Sequence, residues 1–115
     1  MADPQDSEQP PQQRALALAR QAIEQGRSRA AMQLLGRLLR SPSASAESRR
    51  EALLLRAELH TASQKDRRAW RDLSEAHRLA PDSVQVCVAQ SALLARKGLV
   101  VKAFLHLSAR LERPG

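Results

Sequence analysis

The chain is interrupted at intervals that keep register, and this constrains its fold more than any other feature. The runs "QAIEQG", "TASQ" and "LLARKG" end at Gly26, Gln64 and Gly98. Five residues beyond each end lies an alanine (Ala31, Ala69, Ala103), and four beyond that a leucine (Leu35, Leu73, Leu107). Proline follows 11 or 12 residues after each alanine, at Pro42, Pro81 and Pro114. Twelve residues before the alanines stand small residues, Ala19, Ala57 and Ser91. The alanines are 38 and 34 residues apart, the longer interval containing the turn-rich "SPSASAES". An interval of this size holds two helices of three to four turns and the two breaks that join them. Small residues recurring at equivalent places let paired helices approach closely.

The segments between the breaks have helical periodicity. "RALALARQAIEQG" places Leu16, Leu18, Ala19, Ala22 and Ile23 at helical spacings, and Gly26 suits the place just past a helix end. "SRAAMQLLGRLLRSP" follows, with Ser28 as a candidate N-cap and Ala31, Leu34, Leu35 and Leu38 apolar. Ser48 and Glu51 have capping-box spacing for the next helix, which carries Leu53, Ala57 and His60. Asp66 can cap "RRAWRDLSEAHRLA", and Ser83 can cap "VQVCVAQSALLARKG". The last run is "VVKAFLHLSARLERP". Six helices are expected and no strand. Residues 1–13 are polar, acidic and Gln/Pro-rich, and are expected to form a disordered tail before one domain spanning 14–115.

Composition supports closely packed helices. Aromatic residues make up 2% of the chain, with one Trp, one Phe and no Tyr, so a core must be built from Leu, Ala, Val and Ile. The single cysteine, Cys87, can form no internal disulfide. The N-terminal residues are not basic-then-apolar as a secretory leader would be, and no apolar run reaches the roughly 20 residues a membrane span needs. A cytoplasmic location is the expectation. The net charge is +7, and because residues 1–13 carry −3 the body from Arg14 carries +10.

Three helix–turn–helix units, roughly 14–42, 48–81 and 83–114, with small residues at the crossings and a closing proline, resemble the tetratricopeptide repeat. The chain departs from that pattern where Ala15, Leu53 and Cys87 replace an early aromatic, where Gln64 replaces a turn glycine, and where Trp70 falls in a second helix. The resemblance implies an all-α, short right-handed superhelix whose first helices line a concave groove. Carried onto this chain, the groove residues are Leu16, Arg20, Ile23, Leu54, Glu58, Val88, Ala92 and Arg96, flanked by Gln13, Glu24, Glu51, Thr61, Ala62, Gln85 and Ala95. Members that bind a chaperone's C-terminal tail clamp its carboxylate with Lys and Asn. Here those places hold Leu16, Arg20, Leu54, Glu58, Val88 and Ala92, so that ligand is not expected. The implied ligand is an apolar or amphipathic segment of a partner protein. Small members of similar size include secretion chaperones, which the apolar groove resembles.

The final run carries Val101, Phe104, Leu105 and Leu111 with few polar positions and no polar capping helix after it. Repeat arrays need a polar outer cap. An open-end interface is therefore expected there, covered by a second copy or by a partner chain.

Catalytic chemistry is not expected. His60, His77 and His106 fall on three different helices with no metal-ligand spacing, and no glycine-rich phosphate loop occurs. Cys87 occupies a helix-packing position and reads as an inert core thiol. Asp72, Glu75, Glu47 and Glu51 read as solvated or arginine-paired rather than as acid/base pairs. No metal, cofactor or membrane partner is expected. One alternative to a protein-binding groove stays open. Arg67, Arg71 and Arg78 share a face of the fourth helix, a basic surface for nucleic acid or an acidic protein, or simply a solvated face paired in part with Asp66, Asp72 and Glu75.

Overall fold

The protein is seen in a computed structural model that describes residues 11–112, without the side chains of residues 100, 101, 104 and 110–112. Six helices make up the described chain: α1 (Pro11–Glu24), α2 (Ser28–Arg40), α3 (Ala46–Ala62), α4 (Asp66–Leu79), α5 (Val84–Arg96) and α6 (Val100–Glu112). No strand occurs among the described residues. Helix α1 begins at Pro11, so three residues assigned to the tail are helical. Proline tolerates the first helical turn, where its missing N–H has no partner to lose.

The recurrent breaks are one structure built three times. Gly26, Gln64 and Gly98 all adopt the left-handed conformation, with φ of 76°, 62° and 81°. At each, two hydrogen bonds close the preceding helix in the Schellman arrangement. Gly26 N and Arg27 N donate to the carbonyls of Ile23 and Ala22 at 3.0 and 2.7 Å. Gln64 N and Lys65 N donate to Thr61 and His60, and Gly98 N and Leu99 N donate to Ala95 and Leu94, at 2.7–3.0 Å. The chain then re-enters a helix at once, since Ala31, Ala69 and Ala103 donate to the carbonyls of Arg27, Lys65 and Leu99.

The other breaks follow α2 and α4. Ser45 and Ser83 cap the next helices, accepting from Ser48 N at 3.1 Å and Val86 N at 3.3 Å. The cap of α3 is thus Ser45 rather than Ser48, and Glu51 makes no capping box. Ser48 lies in the first turn, buried, its hydroxyl 3.0 Å from that of Ser45. The capping difference explains the longer first interval. The last three residues of "SPSASAES" are helical, and α3, with 17 residues against 13 in α5, has about one extra N-terminal turn. Ser28 and Asp66 are first helical residues whose side chains make no cap hydrogen bond, following Arg27 and Lys65.

Each helix packs against the next in sequence, and the odd-numbered helices also meet, α1 against α3 and α3 against α5. The most extensive pairing is α3 with α4. The body is elongated, 54 × 34 × 23 Å. The in-register small residues lie at these contacts. Ala19, Ala31, Ala57, Ala69, Ser91 and Ala103 are all buried. Leu35 and Leu73 are buried beside them. Aliphatic side chains form the core in three clusters, the largest joining Leu16, Ala19 and Ala22 of α1 to Ala31, Leu35 and Leu38 of α2 and to Ala52 and Leu59 of α3. Trp70 stays out of it, exposed on α4.

Candidate interaction groove

The contacts among α1, α3 and α5 leave a trough along α3. Its volume is about 910 Å³, and α1, α3, α4 and α5 all contribute to it. The floor is buried aliphatic: Ala57, Leu73 and Leu93. Leu54 and Leu55 of α3 and Val84, Val88, Ala89 and Ala92 of α5 form the walls. Val84 and Val88 are one turn apart and about half exposed, at 51% and 49%. Large apolar side chains left in water at helical spacing form a surface on which another apolar face can lie.

The polar residues around the trough are largely committed to holding the helices together. Arg20 of α1 pairs with Glu51 of α3 at 2.8 Å. Arg96 of α5 donates to the carbonyl of Thr61 at 2.6 Å and lies 3.6 Å from Asp66. It thereby adds a side-chain donor to a carbonyl at the C-terminal end of α3, where positive charge suits the helix dipole. Arg50 reaches Gln85 at 3.4 Å. Glu58 differs: it is exposed in the trough and has no hydrogen-bond or ion-pair partner among the described residues.

Of the groove residues named from the sequence, Arg20, Leu54, Glu58, Val88, Ala92 and Arg96 line this trough. Two do not. Leu16 is buried in the core, and Ile23 is partly buried against the same cluster. Both face inward because α1 turns that stripe toward α2 and α3. Leu55, Val84 and Ala89 line the trough and were not anticipated. The signal for Val84 was its i, i+4 spacing from Val88, obscured by the alternation of "VQVCV".

At the last helix, Leu105 is 59% exposed. The side chains of Val101, Phe104 and Leu111, and all of Pro114, lie outside the described residues.

The arginines of the middle unit separate into structural and solvated groups. Arg49 donates to the carbonyls of Leu39, Ser41 and Ala44 at 2.8–3.3 Å, tying the end of α2 to α3. Arg56 grips the buried Asp72 with two hydrogen bonds, Nε at 2.8 Å and Nη2 at 2.7 Å. Asp72 is 4% exposed, so it belongs to the α3–α4 interface and not to the outer face of α4. Its hydrogen bonds hold the Arg56 guanidinium above its ordinary pKa. His60, one turn along α3, places Nε2 3.7 Å from Asp72. Burial pushes the His60 pKa down, the Asp72 charge opposes this, and Arg56, Arg68 and Lys65 add to the lowering. On the outer face of α4, Arg78 pairs with Glu75, while Arg67 and Arg71 are exposed with no partner among the described residues.

His77 and His106, distant in sequence, come within 6.5 Å between ring centroids. His106 Nε2 shares a 2.8 Å hydrogen bond with the buried Gln90. Cys87 is buried beside the same helix, its Sγ 3.9 Å from the carbonyl oxygen of His106. Among the described residues, no group of three or more His, Cys, Asp and Glu is arranged to hold a metal ion, and no helix is long and apolar enough to cross a membrane. Comparison with protein-family models, with curated proteins and with solved structures found no match to this chain.

Proposed function

We propose that this protein is a non-catalytic adaptor or chaperone, built on three tetratricopeptide-like units, that holds an apolar or amphipathic segment of a partner protein in the trough along α3. The observation that carries this reading is the apolar trough, with Val88 and Ala92 exposed and Leu54 partly buried between helices whose polar contacts already hold its shape. An open cleft with an aliphatic floor and wall suits a helix laid along it. A chaperone of this kind shields a partner's apolar face from self-association, as secretion chaperones of similar size do for their subunits.

Affinity capture at moderate and high salt tests the reading. Wild-type protein is expected to retain a partner at high salt, and Leu54→Glu and Val88→Glu to lose it while keeping their helical content. Retention by both variants would refute the groove.

Arg67 and Arg71, exposed and without a partner among the described residues, support a second reading, a basic outer face that binds nucleic acid or an acidic protein. That binding would fall steeply with salt and would depend on Arg67 and Arg71 rather than on Leu54.

A further inference from the structure

We propose that the trough selects a helical segment with one basic residue set within its apolar face, and that Glu58 makes the selection. This inference rests on the groove reading above. It comes from the charge inventory of the trough. Four ionised side chains line it: Arg20, Glu51, Glu58 and Arg96. Arg20 and Glu51 neutralise each other at 2.8 Å, and Arg96 is engaged by Asp66 and the Thr61 carbonyl. Glu58 alone is left uncompensated among the described residues.

Its position makes that charge consequential. Leu54 and Ala62 lie one turn to either side of Glu58 on α3, and all three line the trough. A partner helix resting on Leu54 and Val88 covers this carboxylate. An entirely apolar face would strip water from the charge and return nothing, which is costly. A Lys or Arg on the partner, flanked by apolar anchors at i, i+3, i+4 and i+7 spacing, would replace the lost water with a charge-assisted hydrogen bond. The trough therefore rejects plain apolar helices and accepts those with a matching cation, a form of specificity that works through the unpaired charge. The chain's net charge of +7 limits the cation count. A polybasic segment is repelled by the whole molecule, so a single central cation on an otherwise neutral or acidic helix fits best.

A displayed library of amphipathic helical peptides, selected on the wild-type protein, tests this. Selected peptides are then made with a fluorescent label and their binding measured by anisotropy against wild type, Leu54→Glu, Glu58→Gln and Glu58→Lys. Glu58 is exposed, so these substitutions should leave the far-UV circular dichroism unchanged. Selected peptides should share apolar anchors with one Lys or Arg among them. Glu58→Gln should weaken them about tenfold, the equivalent of ~1.4 kcal/mol. Glu58→Lys should reverse the preference, so that replacing the peptide's cation by Glu restores binding. Peptides that need Leu54 but carry no cation, or that bind Glu58→Gln as well as wild type, would overturn the role of Glu58 and leave the groove standing. Absence of any peptide whose binding depends on Leu54 would overturn both.

Discussion

Replacing Gln64 by glycine should stabilise the protein. Gln64 holds φ at 62°, in the conformation that Gly26 and Gly98 adopt at the equivalent breaks. A residue with a Cβ pays about 1–2 kcal/mol to sit there. Glycine avoids that cost but brings about 0.5–1 kcal/mol of extra unfolded-state entropy. The Gln64 side chain is exposed and makes no hydrogen bond among the described residues, so its removal costs no contact. The net expectation is a gain of about 0.5–1 kcal/mol. At roughly 4–8 °C per kcal/mol for a domain of this size, Tm should rise by about 2–8 °C. Urea unfolding followed by circular dichroism should show a higher midpoint with an unchanged slope. Gln64→Ala retains the strain and should match wild type. Gly26→Ala supplies the mirror experiment. A Cβ built there meets nothing within 4 Å, so any loss must come from the backbone alone and should again be about 0.5–1 kcal/mol. If Gln64→Gly proved no more stable than Gln64→Ala, the equivalence of the three breaks would be wrong.

Other expectations follow from the interfaces. Asp72→Ala leaves Arg56 without its buried partner and should cost about 3 kcal/mol by urea unfolding, while the joint change Arg56→Met with Asp72→Leu should recover most of that. The depressed pKa of His60 means that the unfolded chain takes up a proton that the folded protein resists. Its contribution is whole above its ordinary value of 6.5 and is lost as pH falls below it, so wild type should lose stability over that range and His60→Gln should lose less. Ser45→Ala and Ser83→Ala should each cost about 1 kcal/mol, while Ser28→Ala, where no cap hydrogen bond exists, should be near neutral in the same assay. Ala69→Leu, at a fully buried crossing, should cost about 1–3 kcal/mol through overpacking.

The breaks were legible because their chemistry is local. A residue past a helix end, followed five positions later by a small residue, marks the same hydrogen bonds whether that residue is Gly26 or Gln64. The start of α3 was less legible, because Ser45 and Ser48 offer the same hydroxyl chemistry three residues apart and only packing chooses between them. On α3 and α5 the repeat spacing places Leu54, Glu58, Val88 and Ala92 together, and all four line the trough. On α1 the same spacing places Arg20 at the trough, whereas Leu16 and Ile23 turn toward α2 and α3. Spacing gives the stripe on a helix, and the rotation of that stripe depends on neighbours far along the chain. The same limit hid which arginine pairs with Asp72, since only the crossing of α3 and α4 buries that aspartate beside Arg56 rather than leaving it with the arginines of its own helix. It also hid the approach of His77 to His106, which lie on different helices 29 residues apart.

Because every helix rests chiefly on those one or two places along the chain, closing a contact requires little loop entropy, and folding should be fast for the chain's length. The locality also grades the protein's resistance to opening. Helices α3 and α4, most extensively packed and joined by the hydrogen bonds of Arg56 to the buried Asp72, should protect their amide hydrogens longest. Helices α1 and α6, at the two ends of the described array, can exchange by fraying while the centre stays folded. The trough runs along α3, so its α3 side belongs to the segment that opens last and should outlive the ends of the molecule as temperature or denaturant rises.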